Sequence, residues 1–89
     1  MDVNFVHEKY FTDRQFIDSI FGPFDPREEF VNIDDTWSWE DIWVYVGLFS
    51  SKNQARKNGH GGKIEDGFHD TIIKKKRNIK VTVLNKFDE

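Results

Sequence analysis

Eighty-nine residues with a net charge of −3 and no cysteine describe one small domain and exclude disulfides, thiolate metal sites and cysteine nucleophiles. No apolar run approaches the roughly 20 residues of a membrane span, and the opening MDVNFVHEKY lacks the basic flank and apolar centre of a signal peptide; a soluble, cytoplasmic protein is expected. The small net charge conceals a division, because residues 1–50 hold eleven Asp or Glu against three Lys or Arg, and residues 51–89 hold ten Lys or Arg against five Asp or Glu. Such asymmetry implies either two faces with different partners or two halves that attract each other.

Residues 12–22, TDRQFIDSIFG, read as a helix. Thr12 and Gln15 have capping-box spacing, Phe16, Ile17, Ile20 and Phe21 make one apolar stripe, and Gly22-Pro23 stops it. Asp25-Pro26-Arg27-Glu28 has the form of another helix start, while the EEFVNIDD that follows is too short to choose between a helical turn and a strand. Residues 36–46, TWSWEDIWVYV, predict a helix capped by Ser38 with Asp41 in the reciprocal position. Trp39, Ile42, Trp43 and Val46 then fall on one buried face, which makes the tryptophans core residues rather than a ligand cage.

After Gly47 and the apolar pair Leu48-Phe49, Ser51 and Gln54 form a further capping box for a short helix, KNQARKN, closed by Gly59. Almost none of this helix is built for burial. Lys52 and Arg56 share a face four residues apart, and Asn53 and Lys57 line the adjoining strip. The rest reads as β structure: Ile64 precedes the turn signal Asp66-Gly67. Thr71-Ile72-Ile73 and the alternating Ile79–Leu84 are then joined by the cationic run Lys74, Lys75, Lys76, Arg77 and by Asn78. The expected architecture is α+β, with two or three helices on a short antiparallel sheet of two or three strands. An acidic helical segment over 1–33 precedes a module over 34–86, and 87–89 fray.

The order of helix, Gly-Leu-Phe connection, SSKNQARKNG, glycine turn and short strands resembles the alpha-L RNA-binding domain. That module occurs in a small-subunit ribosomal protein, in pseudouridine synthases and at the C-terminus of tyrosyl-tRNA synthetases. The synthetase type is the most similar, with a segment like Ser51-x-x-Gln54-Ala55-Arg56-Lys57 opening its second helix. The likeness spans roughly residues 38–84 and implies that this helix and the following loop lie on RNA phosphates. Asn58 and Gly59 stand where the family has two apolar anchoring residues, the spacing from Ala55 to the turn glycine is about one residue short, and the acidic first third has no counterpart. Small phage-encoded proteins carry such trimmed domains.

Phosphate recognition needs cations that can reach and backbone N–H groups that approach closely. Lys52, Arg56 and Lys57 supply the first, the start of the helix at Ser51 the second, and Gly59, Gly61 and Gly62 an unobstructed backbone, with His60 beside it. The candidate RNA-contacting set is therefore Ser51, Lys52, Asn53, Arg56, Lys57, Gly59 and His60, extended by Lys74, Lys75, Lys76 and Arg77. The bland reading of the same residues is a solvated helix and a soluble hairpin tip. Few aromatics are interleaved with the cations, which favours shape and backbone readout over base stacking.

Catalysis and cofactors are not expected. His7, His60 and His69 lack helical metal-pair spacing, although His60, His69 and Asp70 could meet around the glycine loop. Asp34-Asp35 and Glu40-Asp41 are explained by capping and solubility rather than acid–base chemistry. The alternative function is a protein-interaction module or inhibitor, in which Asp25, Glu28, Glu29, Asp34, Asp35, Glu40 and Asp41 imitate nucleic-acid phosphates or bind a cationic partner.

Overall fold

A computed structural model describes residues 2–23, 25–74 and 78–86. Within them the chain is a small α+β domain with strands β1 (Asp2–His7), β2 (Glu28–Ile33), β3 (Phe68–Lys74) and β4 (Asn78–Leu84). Its helices are α1 (Glu8–Phe11), α2 (Arg14–Phe21), α3 (Trp39–Tyr45) and α4 (Lys52–Lys57). The strands form one mixed sheet in the order β2-β1-β4-β3, with β1 parallel to both neighbours and β3 antiparallel to β4. The described residues thus hold one strand and one helix more than the upper expectation, and the sheet is not purely antiparallel. Residues 1–33 supply two of its strands rather than a separate helical segment, since β1 lies between β2 and β4.

Helices cover both faces of the sheet, so its central strands are buried on both sides, as parallel strands usually are. Residues 3–7 of β1 and 81–84 of β4 are all buried. On one face Val3, Phe5, Ile33, Ile73, Val81 and Val83 pack with Ile42 of α3, closed over by Trp37, Trp39 and Trp43. On the other, Val6 and Leu84 pack with Ile17 of α2 and with Tyr10, Phe11, Phe16, Phe21 and Phe30. The polar residues this arrangement buries need partners. Asn4 donates to Glu28 at 3.4 Å. His7 Nδ1 accepts from the Lys9 N–H at 3.0 Å, which leaves Nε2 to donate to Asp35 at 2.8 Å.

Local capping follows the sequence closely, with two displacements, one of which leaves Gln54 Oε1 accepting from Ser50 Oγ at 2.7 Å instead of closing the box on Ser51. Ser38 donates from its backbone to Asp41 at 2.8 Å, and Ser51 Oγ accepts the Gln54 N–H at 3.2 Å. In α2 the cap is Asp13, accepting from Phe16 at 3.1 Å, instead of Thr12. Asp25-Pro26-Arg27 is a turn into β2 and not a helix start: Asp25 accepts the Arg27 N–H at 2.9 Å and the strand begins at Glu28.

Candidate functional site

Helix α4 packs on α3, with its Ala55 buried. Its cations meet the two carboxylates at the start of α3. Lys52 Nζ lies 2.8 Å from Asp41 Oδ1, and Arg56 Nε lies 3.3 Å from Glu40 Oε2. Both bridges cross between the acidic and the basic half of the sequence, as does Lys86 with Asp35 at 3.1 Å. The two halves therefore attract one another within the fold. Lys57 and Asn53 are exposed, and Lys57 has no ion pair among the described residues.

Glu40 is the hub of this region. Although charged, it is only 8% exposed, and besides Arg56 it accepts the Gly62 N–H. That bond is the main reason its carboxyl is held below the ordinary glutamate range, against the opposing pull of burial. Gly61 threads past the carboxylate so closely that a Cβ there would sit 2.6 Å from Glu40 Oε1 and 2.9 Å from Arg56 Cγ. Gly62 takes a φ of +116°, open to glycine and strained for other residues.

The sequence-derived phosphate seat is only partly assembled. Lys52 and Arg56 are held by carboxylates, and the Gly59, His60 and Gly62 N–H groups already donate to Arg56, Ala55 and Glu40. The Ser51 hydroxyl is engaged in its own cap. The pairing has a physical reason: the helix start that supplies Glu40 and Asp41 as first-turn anions also sets them against Arg56 and Lys52 of α4. His60 lies against Phe49 and Trp43, at centroid distances of 5.4 and 6.4 Å. Trp43 stacks on Trp39, which in turn meets the edge of His69. Of these pairs only Trp39 and Trp43 are stacked face to face, and His60 and His69 stand at opposite ends of the row. Among the described residues no cluster of three or more His, Cys, Asp or Glu could hold a metal.

Lys74 ends β3 and is exposed; Lys75, Lys76 and Arg77 lie outside the described residues. The acidic set of the alternative reading is likewise engaged inside the molecule. Asp25 binds Arg27, Glu28 accepts from Asn4, Glu29 from the Tyr45 hydroxyl, and Asp34 from Thr36. A cleft of about 190 Å³ at the carboxyl ends of the parallel strands sets Asp34 and Asp35 among Lys63, Lys86 and Trp37. It is smaller than the roughly 300–1,000 Å³ of most ligand pockets.

Sequence reasoning passed over one exposed feature, an edge of the sheet. Strand β3 is one of the two outer strands of the sheet, β2 being the other; it is paired on one side with β4 and on the other with no strand among the described residues. Ile72 is 60% and Phe68 48% exposed there, while neighbouring Ile73 is buried in the core. Phe68 extends the α2 side, its ring 6.1 Å from that of Phe21. Alternation puts Asp70, Ile72 and Lys74 on the same side. The signal was present as Thr71-Ile72-Ile73, whose consecutive apolar residues place one isoleucine on each face.

No protein-family model, no curated protein and no solved structure matches the chain. Among the described residues no helix is long and apolar enough to cross a membrane.

Proposed function

We propose that the domain is a non-catalytic protein-interaction module whose contact surface is the β3 edge rather than the acidic residues of the first half. The observation that carries this reading is the exposure of Ile72 and Phe68 on an outermost seven-residue strand. Unpaired edge N–H and C=O groups template pairing with another chain, and exposed apolar side chains beside them add the burial that makes such pairing stable. The engagement of Lys52, Arg56 and the loop N–H groups inside the molecule removes most of the support that α4 would give a polyanion site.

Nucleic-acid binding, which the alpha-L resemblance implies, keeps one specific observation in its favour. Lys57, Lys74 and Lys80 are exposed and carry no ion pair among the described residues, and Lys74 and Lys80 flank the cationic run at 75–77. On this second reading, contact is electrostatic and strongly salt-dependent.

A photoreactive residue carried at position 72, and separately at position 57, tests the choice in cells of the natural host. Protein adducts from position 72 are expected. Nucleic-acid adducts from position 57, with none of any kind from position 72, overturn the protein-interaction reading.

A further inference from the structure

We propose that the occupant of the β3 edge is a second copy of this chain, joined by antiparallel β3–β3 pairing about a twofold axis through Ile72. The inference rests on the edge being a protein-contact surface, and it adds the partner and the register.

A twofold axis normal to the sheet keeps each face continuous from one copy to the next. Residues that meet across the joint must then belong to the same face, so the axis passes through a residue and not between two. The charges of β3 discriminate among the positions available. An axis at Asp70 sets two carboxylates against each other. An axis at Thr71 sets each Asp70 against an isoleucine, and one at Ile73 sets each Ile72 against a lysine. With the axis at Ile72, Asp70 of each copy faces Lys74 of the other, Ile72 meets its own counterpart, and Thr71 meets Ile73.

This register converts the edge's two charged residues from guards against pairing into its specificity. Charged side chains on an outer strand ordinarily discourage edge association, yet here one sign stands two residues before the apolar centre and the opposite sign two residues after it. Directly opposed side chains have Cβ atoms about 4.5–5.5 Å apart, near enough for both ion pairs and for the Ile72 contact. The pairing covers Ile72, at 60% the most exposed large apolar side chain among the described residues. It also joins two four-stranded sheets into one continuous sheet of a size found in ordinary proteins.

Sedimentation velocity on the full chain over a concentration series tests the proposal. The wild type is expected to shift from monomer to dimer. Asp70→Lys and Lys74→Asp, each of which places like charges across both pairs, should weaken the dimer by about tenfold or more. The double variant Asp70→Lys/Lys74→Asp should restore it, a result that damage to folding cannot imitate. Because the chain has no cysteine, Ile72→Cys supplies a single thiol at the axis; mild oxidation should give a covalent dimer, whereas Lys57→Cys should not. A wild type that stays monomeric at every concentration, or a dimer indifferent to both charge reversals, overturns the proposal. If such a monomer still yields adducts with a different protein from position 72, the second copy fails while the edge reading stands; no adduct at all defeats both.

Discussion

The carboxylate of Glu40 occupies the space that a side chain at Gly61 would need, 2.6 Å from the ideal Cβ position. Because Glu40 is anchored by the Gly62 N–H and by Arg56, it cannot swing aside without giving up both. Gly61→Ala is therefore expected to destabilise the domain by about 1–3 kcal/mol, within the range for overpacking a close contact. The Cβ of an Asn58→Ala control projects from the exposed end of α4 and should change stability by no more than about 0.5 kcal/mol beyond its lost side-chain bond. Urea midpoints for the two variants check the difference; equal midpoints would mean that Glu40 is not fixed where it lies.

Acid should loosen the molecule. Glu40 is held below its ordinary value of 4.5 chiefly by the Gly62 N–H, and Asp35 below 3.8 by the His7 ring and then by Lys86. A carboxylate with a depressed folded-state pKa binds protons less readily in the native than in the unfolded chain. Its contribution is complete above the unfolded value and disappears as pH falls through the folded one. The denaturation midpoint is thus expected to be level above about pH 5 and to drop below it. Glu40→Gln should lower the neutral-pH midpoint and flatten the acid slope; a slope identical to the wild type would remove Glu40 from the account.

Ile42 and Ile72 separate structural from contact roles. Ile42 is fully buried between α3 and the sheet, so Ile42→Ala should cost about 2–5 kcal/mol. Ile72 stands 60% in solvent, and Ile72→Ser should leave the stability of the monomer within about 0.5 kcal/mol. Chemical denaturation at low protein concentration measures both. A large loss from Ile72→Ser would make that residue part of the core and weaken its assignment to an interface.

Nucleic-acid titrations at two salt concentrations examine the second reading. Any weak binding to structured RNA or duplex DNA should largely survive conversion of Lys52 and Arg56 together to Ala, since Asp41 and Glu40 already neutralise both. Removing Lys74 and Lys80 should instead reduce the salt slope for duplex by about 2, at roughly 0.9 per phosphate neutralised. Binding abolished by the α4 variant alone would return the site to that helix.

Helices α2, α3 and α4 were the most legible part of the chain. The Ser38–Asp41 reciprocal cap, the Trp39-Ile42-Trp43 stripe and the Ser51 cap are local devices, encoded within a few residues of one another. Strand β1 was not legible, because Asn4 and His7 sit inside a strand buried on both faces. Their partners, Glu28 and Asp35, come from β2 and the loop after it. The ion pairs within the candidate site were hidden from the sequence for a related reason. A list of cations such as Lys52, Arg56 and Lys57 carries no information about which acids the tertiary fold sets opposite them, and here the acids lie on the preceding helix.

The placement of β1 between β2 and β4 also bears on how the molecule is made and lost. Its first and last strands are zipped side by side at the heart of the structure, Val3 beside Val81 and Phe5 beside Val83. Such long-range registry slows the search for the native state, and it leaves no half able to persist alone. Proteolytic nicking anywhere between α1 and β3 would leave the pieces clasped, whereas loss of β4 would strip the middle strand of a neighbour and release β3 with it.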